Sequence, residues 1–173
     1  MASDTRWLDA EQLRAWISLA AFIEAVPASI DGQLRHDAGI NRFEYHVLAM
    51  LSEEPDRSLT MSDLAQVAFG SLSRLSHAVS RLEGRGWVER TPGSSGRRRA
   101  TVRLTEAGYE TVVAAAPAHV AHVRSVLVEP LSDDELRVFG QLLRRVVRAA
   151  DPALADHVDD LIPTIIERND AAP

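Results

Sequence analysis

The spacing of apolar residues along the chain predicts a mainly helical protein. Over residues 9–26, apolar side chains recur every three or four positions, which is the period of a helix with one buried face. Pro27 is expected to kink or restart this helix, because proline cannot donate the backbone hydrogen bond that a helix interior needs. The continuation is expected to end near Gly39, since glycine commonly terminates helices.

Further helices are predicted where a polar capping residue precedes apolar residues at helical spacing. Three pairs match the capping-box pattern: Asp9 with Gln12, Asn41 with Glu44, and Ser132 with Glu135. The predicted helices cover residues 41–52, 60–68, 72–85, 105–127, 133–150 and 154–166. Residues 53–58 are expected to form a loop, and Pro117 is expected to bend its helix. The residues expected to be buried along 133–150 are Leu136, Phe139, Leu143, Val146 and Val147.

The helix predicted over residues 72–85 has two chemically different sides. Its leucines and Val79 follow one another at spacings of three, four and three, so one continuous buried seam is expected. That seam consists of Leu72, Leu75, Val79 and Leu82. The other side is expected to face outward and carries small polar and basic groups, namely Ser73, Arg74, Ser76, His77, Ser80 and Arg81.

After Gly86 the pattern changes from a helix to a β-hairpin. Residues 87–90 and 100–104 are predicted to be strands, because short runs with β-forming residues flank a segment rich in Pro, Gly and Ser. The connecting segment ends in three consecutive arginines, which gives the hairpin a basic tip. These arginines are Arg97, Arg98 and Arg99.

The charge distribution changes the interpretation of an acidic chain. The 173 residues carry a net charge of −6, which by itself argues against a nucleic-acid partner. Residues 70–104, however, hold eight arginines against two glutamates, a local charge of +6. A basic block in an acidic chain is expected when one face of the protein meets a polyanion. A solvated, arginine-rich hairpin without a partner is the alternative.

Several classes of function are not expected from this sequence. There is no cysteine, which excludes disulfides, thiolate zinc sites and cysteine chemistry. No continuous apolar run approaches the roughly 18 residues of a membrane span, and the first residues lack the layout of a signal peptide. We therefore expect a cytoplasmic protein without a membrane partner. No catalytic or cofactor-binding motif is found, so neither enzyme activity nor a cofactor is expected.

The basic block combines a short helix, a turn, a second helix and a basic hairpin, and this arrangement suits duplex DNA. The second helix fits the major groove, where Arg74 is the best candidate for a bidentate contact with guanine. Ser71 lies where the unpaired N–H groups of a helix start can meet a phosphate. The arginines of the tip can reach the minor groove. The candidate DNA-binding residues are Ser62, Ser71, Ser73, Arg74, Ser76, His77, Ser80, Arg81, Arg97, Arg98 and Arg99.

Four segments of this region resemble one protein family. Residues 61–65, 72–83, 86–90 and 103–108 are similar to the MarR family, the multiple-antibiotic-resistance regulators. The resemblance implies a homodimer formed by the terminal helices, a winged helix-turn-helix lobe on each subunit and a palindromic operator. It also implies, often, a small aromatic or anionic effector that loosens DNA binding. We expect repression by occupation of the operator, and activation by a ligand is the alternative that the sequence leaves open. One departure is the sequence Ser94-Ser95-Gly96 where family wings carry an acidic residue, so which arginine enters the groove stays open.

The predicted fold is therefore mainly α with a small β-hairpin wing. Residues 1–40 and 105–173 are expected to supply dimerisation helices, and residues 41–104 the winged helix-turn-helix lobe. Association has an independent argument, because the flanking helices carry more apolar side chains than one small lobe can bury. These side chains are Trp16, Ile17, Ile23, Val120, Val123, Leu127, Leu143 and Val147.

Two further sites and two alternative functions are considered. An effector pocket between the dimer helices and the lobe would be lined by Trp16, His36, Phe43 and His46, each of which is equally suited to packing. His119 and His122 are spaced like metal ligands, which makes a metal-responsive regulator one alternative. With no cysteine and few nearby acids, no metal site is expected. The other alternative is a winged-helix module that binds a protein and not DNA.

Overall fold

The computed structural model describes residues 5–91 and 100–171, with side chains of the last helix described to Glu167. These residues form seven α-helices and three short strands. In chain order they are α1 (Ala10–Ala38), α2 (Arg42–Glu53), β1 (Ser58–Thr60), α3 (Met61–Val67), α4 (Leu72–Gly84), β2 (Val88–Thr91), β3 (Thr101–Leu104), α5 (Glu106–Val123), α6 (Asp133–Ala150) and α7 (Pro152–Ala171). A π-helical turn, Arg124–Val128, continues α5. The predicted fold class is confirmed.

The three predicted capping boxes are all present. The side chains of Asp9, Asn41 and Ser132 accept hydrogen bonds from the backbone N–H groups three residues later. The returning side chains are Gln12, Glu44 and Glu135. Local sequence therefore determines where α1, α2 and α6 begin, because each cap satisfies N–H groups that the helix itself leaves unpaired.

The prediction that Pro27 restarts the first helix is wrong, because α1 is one helix of 29 residues with Pro27 inside it. A proline removes a single backbone hydrogen bond, and the turns on both sides keep theirs. The predicted stop is confirmed: Gly39 has φ 67° and its N–H donates to the carbonyl of Arg35 at 3.2 Å. A left-handed glycine is a common helix end.

The three strands form an antiparallel sheet in the order β1-β3-β2. Both predicted hairpin strands are confirmed with shifted starts, and Val88 pairs with Leu104. β1 was not predicted, since Ser58 was placed in a loop and Thr60 at the start of a helix, but it pairs with β3 from Ser58 opposite Arg103 to Thr60 opposite Thr101. Its three residues are too few to show a period in sequence. The three arginines of the predicted hairpin tip lie outside the described residues.

The core lies almost wholly within the segment from the end of α1 to β3. Its fully buried large side chains are Leu34, Ile40, Val47, Leu48, Leu51, Leu64, Leu75, Val79, Leu82, Val88 and Val102. These residues come from α1, α2, α3, α4 and the sheet, and they form one cluster. The segment predicted as a DNA-binding lobe therefore has a hydrophobic core of its own.

Two predictions of burial are wrong. Leu72 was placed in the buried seam of α4, but it is 55% exposed, because it is the first residue of the helix and lies at the end of the seam. The seam consists of Leu75, Ala78, Val79 and Leu82. On α6, no described side chain is buried. The side chains predicted to be buried on α6 are half-buried or exposed, because the rest of the same chain does not cover this helix. They are Leu136, Phe139, Leu143, Val146 and Val147.

By length and composition alone, α1 and the segment Glu106–Val128 are apolar enough to cross a membrane. Neither helix contains an uninterrupted apolar run of about 18 residues, so a membrane span was not predicted from the sequence. Helices that pack in soluble proteins can have the same composition, so the property is weak support for a membrane protein.

The burial of the α4 seam leads to a prediction about the stability of the protein. Leu75→Ala removes a fully buried side chain from the core and should lower the free energy of unfolding by about 2–5 kcal/mol. Leu72→Ala, the matched control on the same helix, should change it by less than about 0.5 kcal/mol. Urea denaturation followed by circular dichroism measures both. Equal losses of unfolding free energy for the two variants would contradict the difference in burial between Leu75 and Leu72.

Candidate nucleic-acid interface

α3 and α4 are joined by a tight turn whose backbone requires particular residues. Phe69 has a left-handed φ of 50°. A Cβ on Gly70 would lie 2.6 Å from Cζ of Phe43, so only glycine fits without moving that ring. Ser71 then caps α4, because its Oγ accepts a hydrogen bond from the N–H of Arg74 at 3.2 Å. The turn thus fixes where α4 begins relative to α3.

The outward side of α4 was largely predicted correctly. Ser73, His77 and Ser80 are exposed, and Ser76 is half-buried. Ser71 is exposed at the start of α4, and Ser62 is half-buried in the first turn of α3. The small polar side chains therefore form a protruding surface that follows one side of the helix.

Four of the five described arginines of the basic block contact other parts of the chain, which the sequence did not predict. The guanidinium of Arg74 lies over the ring of Phe43, 4.2 Å from its centroid. Arg81 donates from Nε to Glu44. Arg85 donates to the carbonyl of Gly39 at 3.0 Å. A cation over an aromatic face keeps its N–H edge available, so Arg74 can still donate to an external acceptor.

Arg90, at the base of the hairpin, completes this set. Its backbone N–H donates to the carboxylate of Glu83 at 3.3 Å, and its Nη2 donates to the carbonyl of Ser76 at 3.4 Å. Both acceptors belong to α4, so β2 is joined to the helix by main-chain and side-chain bonds. The base of the hairpin therefore has a defined position beside α4.

The start of α5 is joined to the residues that lead into β2. Thr105 donates from its N–H to the carbonyl of Trp87 at 3.0 Å and from its hydroxyl to the carbonyl of Gly86 at 2.8 Å. A Cβ on Gly108 would lie 2.1 Å from the carbonyl oxygen of Trp87, so glycine is required there. The exposed Arg103 extends the basic surface along β3.

Comparison with known proteins identifies the family of this lobe. The sequence model of the MarR family matches residues 38–99. Sco3205, a MarR family transcriptional regulator from Streptomyces coelicolor solved in complex with DNA, is 38% identical and superposes with a TM-score of 0.79. The match covers 84% of this chain and 95% of that one. The chain belongs to the MarR family.

Two further transcriptional regulators are similar. AbsC from Streptomyces coelicolor is 32% identical with a TM-score of 0.73, and the match covers 90% of this chain and 99% of that one. The regulator PecS from Dickeya dadantii is 29% identical over 104 residues, 60% of this chain. The chain spans 62% of the length of PecS. In these comparisons the MarR-type likeness reaches beyond the lobe into the flanking helices.

The four side chains predicted for an effector pocket have different surroundings in this MarR-family fold. Trp16 lines an open groove between α1 and α6. His36 is exposed and contacts Asp37. Phe43 is buried beneath Arg74. His46 bonds to the carbonyl of Val67 at 3.2 Å and stacks on Phe69. The structure thus does not bring the four together around one cavity.

The histidines considered as metal ligands also have separate partners. His122 shares a hydrogen bond with Ser29 at 2.9 Å, whereas the His119 ring packs 4.4 Å from Tyr45. Burial, followed by the charges of His122 and His46, lowers the pKa of His119. Within residues 5–91 and 100–171, side chains described to Glu167, no three His, Cys, Asp or Glu residues are grouped as metal ligands.

Proposed function

We propose that this MarR-family protein is a homodimeric, sequence-specific DNA-binding regulator that represses transcription by occupying a palindromic operator. The observation that carries the proposal is the exposed polar side of α4. Ser73, His77 and Ser80 protrude there above a fully buried seam. The 38% identity with a regulator solved on DNA supports it, since the match extends over most of both chains.

The dimensions of α4 and of DNA agree with this use. A helix with side chains is about 10–12 Å across, and the major groove of B-DNA is about 12 Å wide. The N-terminal residues of such a helix contact base edges, which puts Ser73 and Arg74 closest to the bases. Arg74 would bind guanine through two N–H groups. Arg97, Arg98 and Arg99 would meet the neighbouring minor groove.

Loss of Arg74 should weaken discrimination between sequences. Arg74→Ala is expected to cost about 1–3 kcal/mol on a duplex selected from a random library by the wild-type protein, because a bidentate base contact is lost. Arg98→Ala or Arg99→Ala should instead weaken all duplexes evenly and reduce the salt slope by about one. Gel retardation across a salt series measures both effects.

Arg35→Ala is the control, because Arg35 is exposed on α1 and paired with Asp31 at 2.6 Å, outside the proposed interface. It should bind like the wild type. Failure of the wild-type protein to retard any duplex at low salt would contradict DNA binding. That result would favour the alternative in which the same side of α4 binds a protein.

The homodimer is supported by apolar side chains that one chain leaves uncovered outside the lobe. They include Leu13, Trp16, Ile17, Ile23, Val113, Val120, Val138, Leu142 and Val146, all at least 46% exposed. Several line a groove of about 680 Å³ between α1 and α6, together with Phe22 and Phe139. A second copy placed by a two-fold axis would cover this surface and set two α4 helices about 34–36 Å apart.

A charge placed in this groove should dissociate the dimer. Sedimentation of the wild type should show twice the 19.0 kDa chain mass. Val146→Glu should shift the population to single chains, because an unpaired carboxylate would be buried between subunits. Arg145→Glu puts the same group on the neighbouring exposed position and serves as the control. A wild-type protein that sediments at 19.0 kDa would contradict the proposed dimer.

An effector is the third part of the proposal and rests on family membership. We propose a small aromatic or anionic ligand that lowers DNA affinity by favouring a dimer with wrongly spaced α4 helices. Of the four residues predicted for its pocket, Trp16 is the one tryptophan, and it lies in the α1–α6 groove that the second copy would cover, so a ligand there would act at the subunit interface. Salicylate should therefore change tryptophan fluorescence and weaken gel retardation. No change in either quantity with salicylate or related aromatic acids would remove this part of the proposal.

A further inference from the structure

Glu44 is the one charged or polar residue that is buried in the part of the chain described by the structure. It lies in the first turn of α2, and both of its carboxylate oxygens have partners. Oε2 accepts a hydrogen bond from the backbone N–H of Asn41 at 3.1 Å. Oε1 accepts one from Nε of Arg81 at 2.5 Å. One carboxylate thus joins the start of α2 to the outward-facing side of α4.

The buried carboxylate of Glu44 depends on this ion pair. A carboxylate that is 6% exposed loses most of its hydration, so removal of its cation would leave a buried, uncompensated charge. Two other arginines near this end of α1 have partners of their own, since Arg35 pairs with Asp31 at 2.6 Å and Arg85 donates to the carbonyl of Gly39 at 3.0 Å. Arg81 is therefore the cation on which Glu44 depends.

The position of Arg81 along α4 separates it from the base-reading residues. It lies in the C-terminal half of the helix Leu72–Gly84, whereas N-terminal residues of a helix in the major groove contact base edges. Its guanidinium is directed to α2 by Glu44, and its charge is balanced there. Arg81 is among the DNA contacts predicted from the sequence, because its partner Glu44 lies 37 positions away along the chain.

We infer that Arg81 is a positioning residue, which fixes α4 on α2 through the buried carboxylate of Glu44 and does not neutralise a DNA phosphate. This inference rests on the proposed DNA binding. The apolar seam and this ion pair are two of the contacts that hold α4 in register. The seam is non-directional, whereas a hydrogen-bonded ion pair has a defined geometry and so restricts how α4 can slide or rotate.

The positioning role and the phosphate-binding role of Arg81 predict opposite results for the DNA affinity of Glu44→Gln. The amide retains an oxygen for the N–H of Asn41 but removes the charge that holds Arg81. If Arg81 positions α4, the affinity for a selected duplex falls. If Arg81 binds phosphate, its release from Glu44 leaves that affinity unchanged or raises it, since a free cation is added to the interface.

The test uses the full chain and two duplexes of equal length. One is selected by the wild-type protein from a random library, and the other is unrelated. Arg81→Gln, Glu44→Gln and the double variant should each bind the selected duplex about tenfold more weakly, the loss expected for one misaligned base contact. Binding to the unrelated duplex and the salt slope should equal those of the wild type. The double variant should lose no more than either single one.

Arg145→Gln, on α6, makes the same change in net charge as Arg81→Gln and is the matched control. It should bind both duplexes like the wild type. If a single variant unfolds, Glu44→Met with Arg81→Met keeps the comparison, because replacing both partners leaves no unpaired buried charge. The salt slope of that variant should still equal the wild-type slope.

Four results would overturn the inference. The first three are a salt slope that falls by about one in Arg81→Gln, an unchanged or higher affinity in Glu44→Gln, and a tenfold loss in Arg145→Gln. A loss of affinity that is equal on both duplexes would also do so, because it reports less folded protein and not a misplaced helix. Selection of no duplex by the wild type would instead contradict the proposed DNA binding itself.

Discussion

The burial of one side of α4 is the constraint on which the rest of the lobe depends. Leu75, Val79 and Leu82 are fully buried in a cluster built from five helices and the sheet. Because the side chains of a helix repeat every 3.6 residues, burying this seam leaves Ser73, His77 and Ser80 facing outward. Hydrophobic packing thus determines which polar groups can reach a partner.

The charges of the basic block are more constrained than their number suggests. Arg81, Arg85 and Arg90 each donate to an acceptor in the same chain, and Arg74 lies on an aromatic ring. Such contacts reduce the conformational freedom that a long side chain loses on binding, and they fix where each guanidinium starts. A basic surface of this kind contributes orientation as well as charge.

Local patterns predicted the helices well and the contacts between them poorly. The caps at Asn41 and Ser132 were correctly predicted because the bonding partners lie three residues apart. The same Asn41–Glu44 pair was recognised as a cap, yet the second partner of Glu44 lies 37 positions away, where no local pattern could indicate it. The short β1 and the exposed Leu72 were misjudged for the same reason, since tertiary neighbours decide both.

The chain also divides its apolar residues between two kinds of surface. The lobe closes its own core, whereas α6 has no buried side chain among the described residues and α1 buries only Leu34, near its end. Helices with this much exposed apolar surface would make a free protomer less stable in water, because the unfavourable free energy of hydration grows with the exposed apolar area. Association would remove that cost without altering the lobe. A signal that rearranged the terminal helices could then move one complete lobe relative to the other, with the core around α4 unchanged.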